Sequence, residues 1–257
     1  MNAFLTLFDR EISRFMKVII QTVVTPFVSS FLYLLVFGVT MGTQMGEHGG
    51  VRYLAFLLPG LMMMSLMNNA FQNSSSSIIS SKFSGDLEDI RVAPITHSQI
   101  VWAMSLGSVI RGTLVALITF VVGQVFYRYL FSEFLLIAHW WAVIYFSIFA
   151  GLIFGLIGIS IAFWAKSFDQ LSLFSAFVLL PLTYLGGVFI SIENLHPFWQ
   201  MLCRLNPLFY LINGLRYGML GQSDVDITQA IFVTFIGFLI CYFIARLSLK
   251  KGSFQRW

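Results

Sequence analysis

Long uncharged hydrophobic runs alternate with short charged segments along this chain. About 20 apolar residues, rising about 1.5 Å each in a helix, cross a hydrocarbon core of about 30 Å. Six runs reach that length, and the fourth is long enough to tilt or to project into water. They predict transmembrane helices at roughly Val18 to Thr40, Tyr53 to Ser76, Val101 to Tyr127, Leu135 to Ala165, Leu171 to Ile192 and Ile227 to Ala245. No alternation of every second residue indicates a membrane β-barrel, so the predicted class is an all-α membrane protein.

Composition supports a membrane location. Of 257 residues, 58% are hydrophobic and only 10% are charged, which excludes an ordinary soluble globular domain. The first apolar run follows several charged residues and has no small-residue cleavage pattern, so we expect no removable signal peptide. The two cysteines, Cys203 and Cys241, show no disulfide or metal-ligand spacing.

A further apolar stretch, Phe198 to Leu220, contains Arg204, Pro207 and Arg216 and is ambiguous as a span. With six spans, one face receives ten Lys and Arg residues and the other receives four; a seventh span would make the count six against six. The positive-inside rule favours the unequal distribution. It predicts six spans, both termini in the cytoplasm, and an external or re-entrant segment at 193–224.

The N-terminal segment, residues 1–17, has the pattern of an amphipathic helix lying at the membrane interface. Apolar side chains recur at helical spacing, at Phe4, Leu5, Phe8, Ile12, Phe15, Met16 and Ile19, with polar Asp9, Arg10, Ser13, Arg14 and Lys17 opposite. This helix is either a membrane-surface anchor or a contact for a cytoplasmic partner. Residues 18–257 form the predicted transmembrane domain.

The second span carries a stripe of polar side chains on one helical face. Amides face lipid only at a high free-energy cost, so this face is predicted to meet protein or water. Hydrogen bonding between helices and a pathway for a solute are both consistent with the pattern. The stripe comprises Ser65, Asn68, Asn69, Gln72, Asn73 and Ser76, and continues to Ser80.

Arg111 lies near the middle of the third span, where an arginine costs about 2.5 to 3.5 kcal/mol on insertion scales. No Asp or Glu lies within any of the six spans. Its partner is therefore expected to be a helix-end acid such as Asp169, a backbone carbonyl, a lipid phosphate or an anionic substrate. Structural satisfaction and substrate contact both remain open.

A charged island, Lys82 to Gln99, separates the second and third spans and is expected to lie in water on the cytoplasmic face. Its acids, Asp86, Glu88 and Asp89, stand near its start and Pro94 near its end, the pattern of a short surface helix. It is either a solvated loop or an element that a partner binds.

Catalytic and cofactor motifs are missing from the sequence. The four histidines are scattered, with no HExxH and no Cys/His metal spacing, and there is no G-x-x-x-x-G-K-[ST] loop for nucleotide phosphates. We expect no catalytic residue, no metal site and no cofactor bound by this chain, and no nucleic-acid partner. The intramembrane acids or inverted repeats usual in a secondary transporter are not visible either.

Several motifs together resemble the membrane subunit of type-2 ATP-binding-cassette exporters, in the branch of small bacterial lipo-oligosaccharide and drug exporters. The resemblance covers nearly the whole chain and rests on the order of its motifs. They are LEDIRVAP at Leu87 to Pro94, Arg111-Gly112, KSFDQ at Lys166 to Gln170, PLTYLGGVF at Pro181 to Phe189, LHPFWQ at Leu195 to Gln200 and NPLFYLINGLRYGMLG at Asn206 to Gly221.

This resemblance implies a bacterial inner-membrane permease that pairs with a second copy of itself. Two copies of a separate ATPase, which would bind ATP and Mg²⁺, would sit below it and drive an amphipathic or lipid-linked substrate outward by alternating access. Residues 1–17 would be the connecting helix and 198–220 external re-entrant helices. The coupling helix that docks on the ATPase would include Asp86, Leu87, Glu88, Asp89, Arg91 and Pro94. The alternatives are a membrane scaffold that transports nothing, and a secondary transporter that needs no ATPase.

Overall fold

The computed structural model describes residues 3–41, 47–48, 51–192 and 195–251, and it is almost entirely helical there. The helices are α1 (Ala3–Met16), α2 (Ile19–Tyr33), α3 (Tyr53–Ser84), α4 (Asp86–Val92), α5 (His97–Phe131), α6 (Trp140–Trp164), α7 (Phe168–Phe174), α8 (Leu180–Tyr184), α9 (Pro197–Leu205), α10 (Pro207–Leu220) and α11 (Ile227–Lys251). Two π-helical segments, Leu34–Met41 and Ser175–Leu179, extend α2 and join α7 to α8. Within these ranges, the only strand pairing joins β1 (Glu47–His48) to β2 (Val51–Arg52). The predicted helical membrane protein is confirmed at this level.

Five helical stretches of the described chain are long and apolar enough to cross a membrane. They are Ile19–Thr40, Tyr53–Ser84, His97–Phe131, Trp140–Trp164 and Ile227–Lys251. The predicted fifth span corresponds to Phe168–Tyr184, whose 17 residues would rise about 25 Å. That is slightly short of a hydrocarbon core of about 30 Å. The count of six spans therefore stays a prediction.

Helix α3 is the centre of the bundle. It packs mainly against α5 and α6 and is largely buried, whereas α11 is largely exposed. The polar stripe explains this position, because an asparagine-rich helix is stabilised by protein or water neighbours rather than by lipid. Helix α11 instead exposes large apolar side chains such as Phe232 and Phe243, which suits contact with acyl chains.

Glycines of α6 allow this helix to lie close to α3 and α5. A Cβ at Gly155 would lie 2.9 Å from the Ser108 Cβ, and a Cβ at Gly158 would lie 2.6 Å from the Phe71 carbonyl oxygen. Both distances are shorter than normal carbon contacts, so the observed helix separations require glycine at these positions. This is the small-residue packing expected between membrane helices.

The predicted fourth span was too long at its start. Residues 135–139 are not helical, and α6 begins only at Trp140. The N–H groups of Ala138 and His139 donate to carbonyls of Met219 and Gly218 in α10, at 3.2 and 2.7 Å. Because α10 supplies these hydrogen bonds, the apolar segment needs no helix to satisfy its backbone.

The ambiguous stretch forms two short helices instead of one span. Asn206 and Pro207 divide it, and the Asn206 side chain accepts the N–H of Leu208 at 3.1 Å as an N-cap. With 9 and 14 residues, α9 and α10 would rise only about 13 and 21 Å, too little to cross. Positions 193–194 of the predicted external segment lie outside the described residues, and its external placement stays a prediction.

Candidate functional site

The polar stripe of α3 lines two cavities between α2, α3, α5 and the α7–α8 segment. The first has a volume of about 250 Å³ and the second, nearer to α1, about 690 Å³. Gln21, Asn68, Gln72 and Arg111 line both, so the two cavities adjoin. Polar residues of the first cavity are Gln21, Thr25, Ser29, Ser30, Tyr33, Ser65, Asn68, Asn69, Gln72 and Arg111. The structure thus brings five of the seven predicted pathway and intramembrane-charge residues together around one cavity.

Polar residues of α2 in this lining were missed by the sequence analysis. Gln21, Thr25 and Ser29 are four residues apart, a spacing that places them on one face of a helix. The same periodicity argument that identified the α3 stripe would have found them. Two polar faces in neighbouring spans would then have indicated a shared cavity.

The amides of the α3 stripe retain hydrogen-bonding capacity toward the cavity. Asn68 donates to the Met64 carbonyl at 3.1 Å and Asn69 to the Ser65 carbonyl at 3.0 Å. Each side-chain amide has two N–H groups and one carbonyl oxygen, so one such bond leaves further groups available. Gln72 is exposed on the same face.

Arg111 extends into this cavity from α5 without a protein counterion. Among the described residues, no hydrogen bond or ion pair involves its guanidinium, and its Nε is buried without a partner. The expected helix-end acid Asp169 is therefore not its partner. A charged group left unpaired in this way requires water or an external ligand.

Asn73 of the polar stripe lines neither cavity. It is fully buried, and its side-chain and main-chain oxygens accept the Arg14 guanidinium at 3.0 and 2.6 Å. Its amide nitrogen lies 3.4 Å from the Ser108 hydroxyl of α5. Asn73 sits at the edge of the stripe that faces α1 and α5, so its role in the structure is interhelical hydrogen bonding.

Ser76 lies between the two roles. Its hydroxyl accepts a hydrogen bond from the Arg14 guanidinium at 3.1 Å, and the residue also lines the second cavity.

Burial lowers the pKa of the Arg14 guanidinium from its usual value, and the neighbouring Glu11 carboxylate opposes that shift.

Helix α1 packs on the bundle with a face that the sequence analysis did not identify. Its buried residues are Leu7, Glu11 and Phe15, whereas Leu5 and Met16 of the predicted apolar face are exposed. Glu11 is fully buried and accepts the Ser77 hydroxyl at 2.7 Å. The predicted amphipathic helix therefore contacts the bundle through a buried carboxylate, whereas Leu5 and Met16 remain exposed.

Helix α4 forms the predicted short element between the second and third spans. Leu87 and Ile90 are buried against the bundle, whereas Asp86, Asp89 and Pro94 are exposed. Gly85, with φ of 89°, makes the sharp turn from α3 into α4. The side chains of Glu88 and Arg91 lie outside the described part of the structure. The element thus presents acidic groups outward from a face fixed to the bundle.

Lys82, the first residue of the charged island, does not lie in water as predicted. Its side chain is buried, and its Nζ donates to the carbonyls of Ala162, Phe163 and Ala165 at 2.8, 2.9 and 3.2 Å. Ala162 and Phe163 lie in the last turn of α6, and Ala165 directly follows its last residue. A cation is favourable there, both as a donor and toward the helix dipole.

A second buried charge cluster lies in α10. Arg216 is 2% exposed, donates to the Gly187 carbonyl at 2.7 Å, stacks on the Phe56 ring and lies 4.0 Å from an Asp224 carboxylate oxygen. The same Asp224 carboxylate accepts the Ser191 hydroxyl at 3.0 Å. This cluster joins α10 to the segment after α8 and to the start of α3, and the sequence analysis gave it no role.

Comparison with known proteins agrees with this architecture. The family model for the ABC-2 type transporter matches residues 2–220. The chain is 37% identical over 252 residues to the inner membrane transport permease YadH of Escherichia coli strain K12, covering 98% of this chain and 94% of that protein. It is 27% identical over 233 residues to nodulation protein J of Neorhizobium galegae, covering 87% and 84%.

These matches extend over nearly the whole chain, including the cavity-lining residues and α4. Nodulation protein J of Rhizobium leguminosarum bv. viciae matches over 256 residues at 23% identity, covering 96% of this chain and 93% of that protein. Proteins of this family are transport permeases, not catalytic enzymes, and they generally work with a separate ATPase subunit. The chain therefore belongs to the ABC-2 type transporter family and is a multi-pass inner-membrane transport permease.

Proposed function

We propose that this chain is the membrane half of an ATP-driven exporter. Two copies would form the permease, with six spans each and both termini in the cytoplasm, and two copies of a separate ATPase would bind ATP and Mg²⁺ below them. The substrate is amphipathic or lipid-linked and passes through the cavity lined by Ser65, Asn68, Asn69, Gln72 and Arg111. The enzyme activity of the system resides in the partner subunit.

The observation that carries this proposal is the continuity of α3. One unbroken helix bears the cavity-lining residues and ends, through Gly85, directly at α4. Ser84 follows Ser65 by nineteen positions on this helix, a distance of about 29 Å at about 1.5 Å per residue. A displacement of α4 is therefore passed to the cavity wall without an intervening flexible loop.

Helix α4 suits the role of a docking element. Buried Leu87 and Ile90 hold it against the bundle, so a force applied to its outer face moves the bundle as well. Exposed Asp86 and Asp89 would attract a basic groove on the ATPase. The buried Lys82, in the last turn of α3 before α4, binds carbonyls at the end of α6. Both α3 and α6 are therefore connected to the proposed docking helix.

Alternating access requires two arrangements whose relative free energies change with the nucleotide state of the ATPase. The exposed apolar faces of α11 and α2 would contact either the bilayer or the second copy of the permease. The N-terminal helix, residues 1–17, would act as the connecting helix through its buried contact at Glu11.

Co-purification of the permease with its ATPase tests the docking step. Replacing Asp86 and Asp89 together by Lys reverses the charge of the outer face without touching buried Leu87 or Ile90. We expect this variant to retain its fold and to lose most of the co-purifying ATPase. Glu133→Lys, an exposed acid between α5 and α6, is the matched control and should retain it. Undiminished ATPase recovery with the reversed α4 would refute docking through these carboxylates.

A further inference from the structure

The charge of the cavity lining is uniformly positive. Among the described residues that line the two cavities, Arg14 and Arg111 are the ionised side chains, and no Asp or Glu lines either cavity. Arg14 is paired with buried Glu11, at 3.5 Å, and with Asn73. Arg111 has no such partner in the described structure. A bound cation would be repelled here, whereas an anion would be attracted.

The neutral groups around Arg111 are also suited to an anion. Asn68, Asn69 and Gln72 each present side-chain amides, and hydroxyls of Ser29 and Ser65 line the same cavity. Arginine presents five N–H donors in a planar fork that matches two oxygens of a phosphate at once. A guanidinium surrounded by neutral donors is the arrangement that proteins use for tetrahedral oxyanions.

The remaining walls are apolar and indicate an amphiphile. Leu61 and Met64 line the smaller cavity, and Phe71, Leu171 and Leu180 line the larger one. A small hydrated anion would gain nothing from these side chains, whereas an alkyl or isoprenoid chain attached to the anion would bury apolar surface against them. The combination favours a charged headgroup that carries a hydrophobic portion.

We propose that the cavity around Arg111 binds the phosphate-type anionic headgroup of an amphiphile, with the Arg111 guanidinium as its charged donor and Asn68, Asn69 and Gln72 as neutral donors. Arg14, at the α1 side of the larger cavity, is the second positive group along the route. This inference rests on the proposed role of the cavity as the substrate pathway and specifies the class of substrate that it takes.

Binding to the permease alone tests the inference. The full chain is placed in nanodiscs of zwitterionic phosphatidylcholine, without ATPase, and empty nanodiscs supply the background. Three probes are compared: decyl phosphate, decyltrimethylammonium with the same chain, and inorganic phosphate. We expect decyl phosphate to bind about tenfold or more tightly than decyltrimethylammonium, the factor that one charge-assisted hydrogen bond supplies. It should also bind about tenfold or more tightly than inorganic phosphate, because its alkyl chain buries apolar surface.

Variants assign the preference to Arg111. Arg111→Gln should weaken decyl phosphate binding about tenfold, whereas Arg111→Lys should weaken it less, because lysine keeps the charge but loses the planar fork of donors. Arg204→Gln removes an exposed arginine away from the cavity and should change nothing. Should Arg111→Gln not fold, Asn68→Asp serves instead, because a carboxylate beside Arg111 would neutralise it and weaken the binding.

Equal affinity for the phosphate and ammonium probes would overturn the inference, and so would an Arg111→Gln variant that binds as the wild type does. Inorganic phosphate binding as tightly as decyl phosphate would show a site for a free anion and overturn the amphiphile assignment. Because no ATPase is present, these results are independent of docking through α4, and a failure of either proposal leaves the other measurable.

Discussion

The ammonium group of Lys82 lies 2.8 Å from the carbonyl oxygen of Ala162, so the last turn of α3 caps the end of α6. Two more carbonyls of that end, from Phe163 and Ala165, accept the same group. The side chain is buried between the two helices, next to the Gly85 turn that leads into α4. The ends of α3 and α6 that lie next to α4 are thereby joined by a single side chain.

Replacing Lys82 by Met should destabilise the permease by about 1 to 3 kcal/mol, since it removes three hydrogen bonds to carbonyls at the end of α6 while keeping the length of the side chain. Unfolding of the purified protein in detergent, followed by circular dichroism against denaturant, measures the change. Lys250→Met, at the exposed end of α11, should stay within about 0.5 kcal/mol of the wild type. Equal stability of the two variants would contradict the capping role.

Close packing of α6 against α3 predicts a contrast between two glycines. Gly158→Ala places a methyl group 2.6 Å from the Phe71 carbonyl oxygen and should cost about 1 to 3 kcal/mol through overpacking. Gly237→Ala, in the middle of α11, meets only Ile153 at 3.9 Å and should be neutral or stabilising by up to about 1 kcal/mol, because alanine favours helix. The same denaturant experiment compares them, and a stable Gly158→Ala protein would show that α6 is not confined as described.

The charge cluster of α10 predicts a position-specific effect of losing one carboxylate. Asp224→Asn leaves the buried Arg216 without its counterion and weakens the bond from Ser191, so a loss of about 1 to 3 kcal/mol is expected. Asp226→Asn should change stability by less than about 0.5 kcal/mol, because asparagine caps a helix about as well as aspartate. Thermal unfolding of the two variants distinguishes them, and equal losses would count against a structural role for Asp224.

Much of the fold could be predicted from the sequence, because hydrophobic length acts over whole segments. The five long helices follow from that length, and α4 follows from the acids at its start and Pro94 after its end. Residues 135–139 could not be placed, because their apolar composition fits a helix equally well. The carbonyls of Met219 and Gly218, which are distant in sequence, accept the N–H groups of Ala138 and His139, so this segment does not need a helix to satisfy them.

Residues of the candidate site were predictable where a whole helical face shares one property. They were not predictable where a single contact, distant in sequence, determines the position of a side chain. Periodicity placed Ser65, Asn68, Asn69 and Gln72 on one face, and the structure shows that face lining the cavity. Asn73 is also an asparagine, and on the helical wheel of α3 it lies close to Asn69, four positions earlier. Its removal from the cavity depends on Arg14 of α1, a contact across 59 positions that no local pattern reveals.

Lys82 was misplaced for a similar reason. A lysine beside a charged segment ordinarily lies in water, and only the end of α6 turns it into a buried cap. Arg111, by contrast, was recognised at once, because an arginine within an acid-free span requires an explanation wherever its neighbours lie. The structure shows no protein counterion for Arg111 among the described residues, which removes the helix-end acid from the partners considered.

Labelling of a cysteine at Ser65 most directly tests the central claim, that ATPase action through α4 changes access to the cavity. Ser65→Cys is built in a chain whose two native cysteines, Cys203 and Cys241, are replaced by Ala. With the partner ATPase present in proteoliposomes, a membrane-impermeant maleimide is applied from the external side, with and without trapping by Mg-ATP and vanadate. We predict labelling about tenfold faster in the trapped state, and no such difference when Asp86 and Asp89 are replaced by Lys. Labelling at the same rate in both nucleotide states of the intact protein would contradict the account.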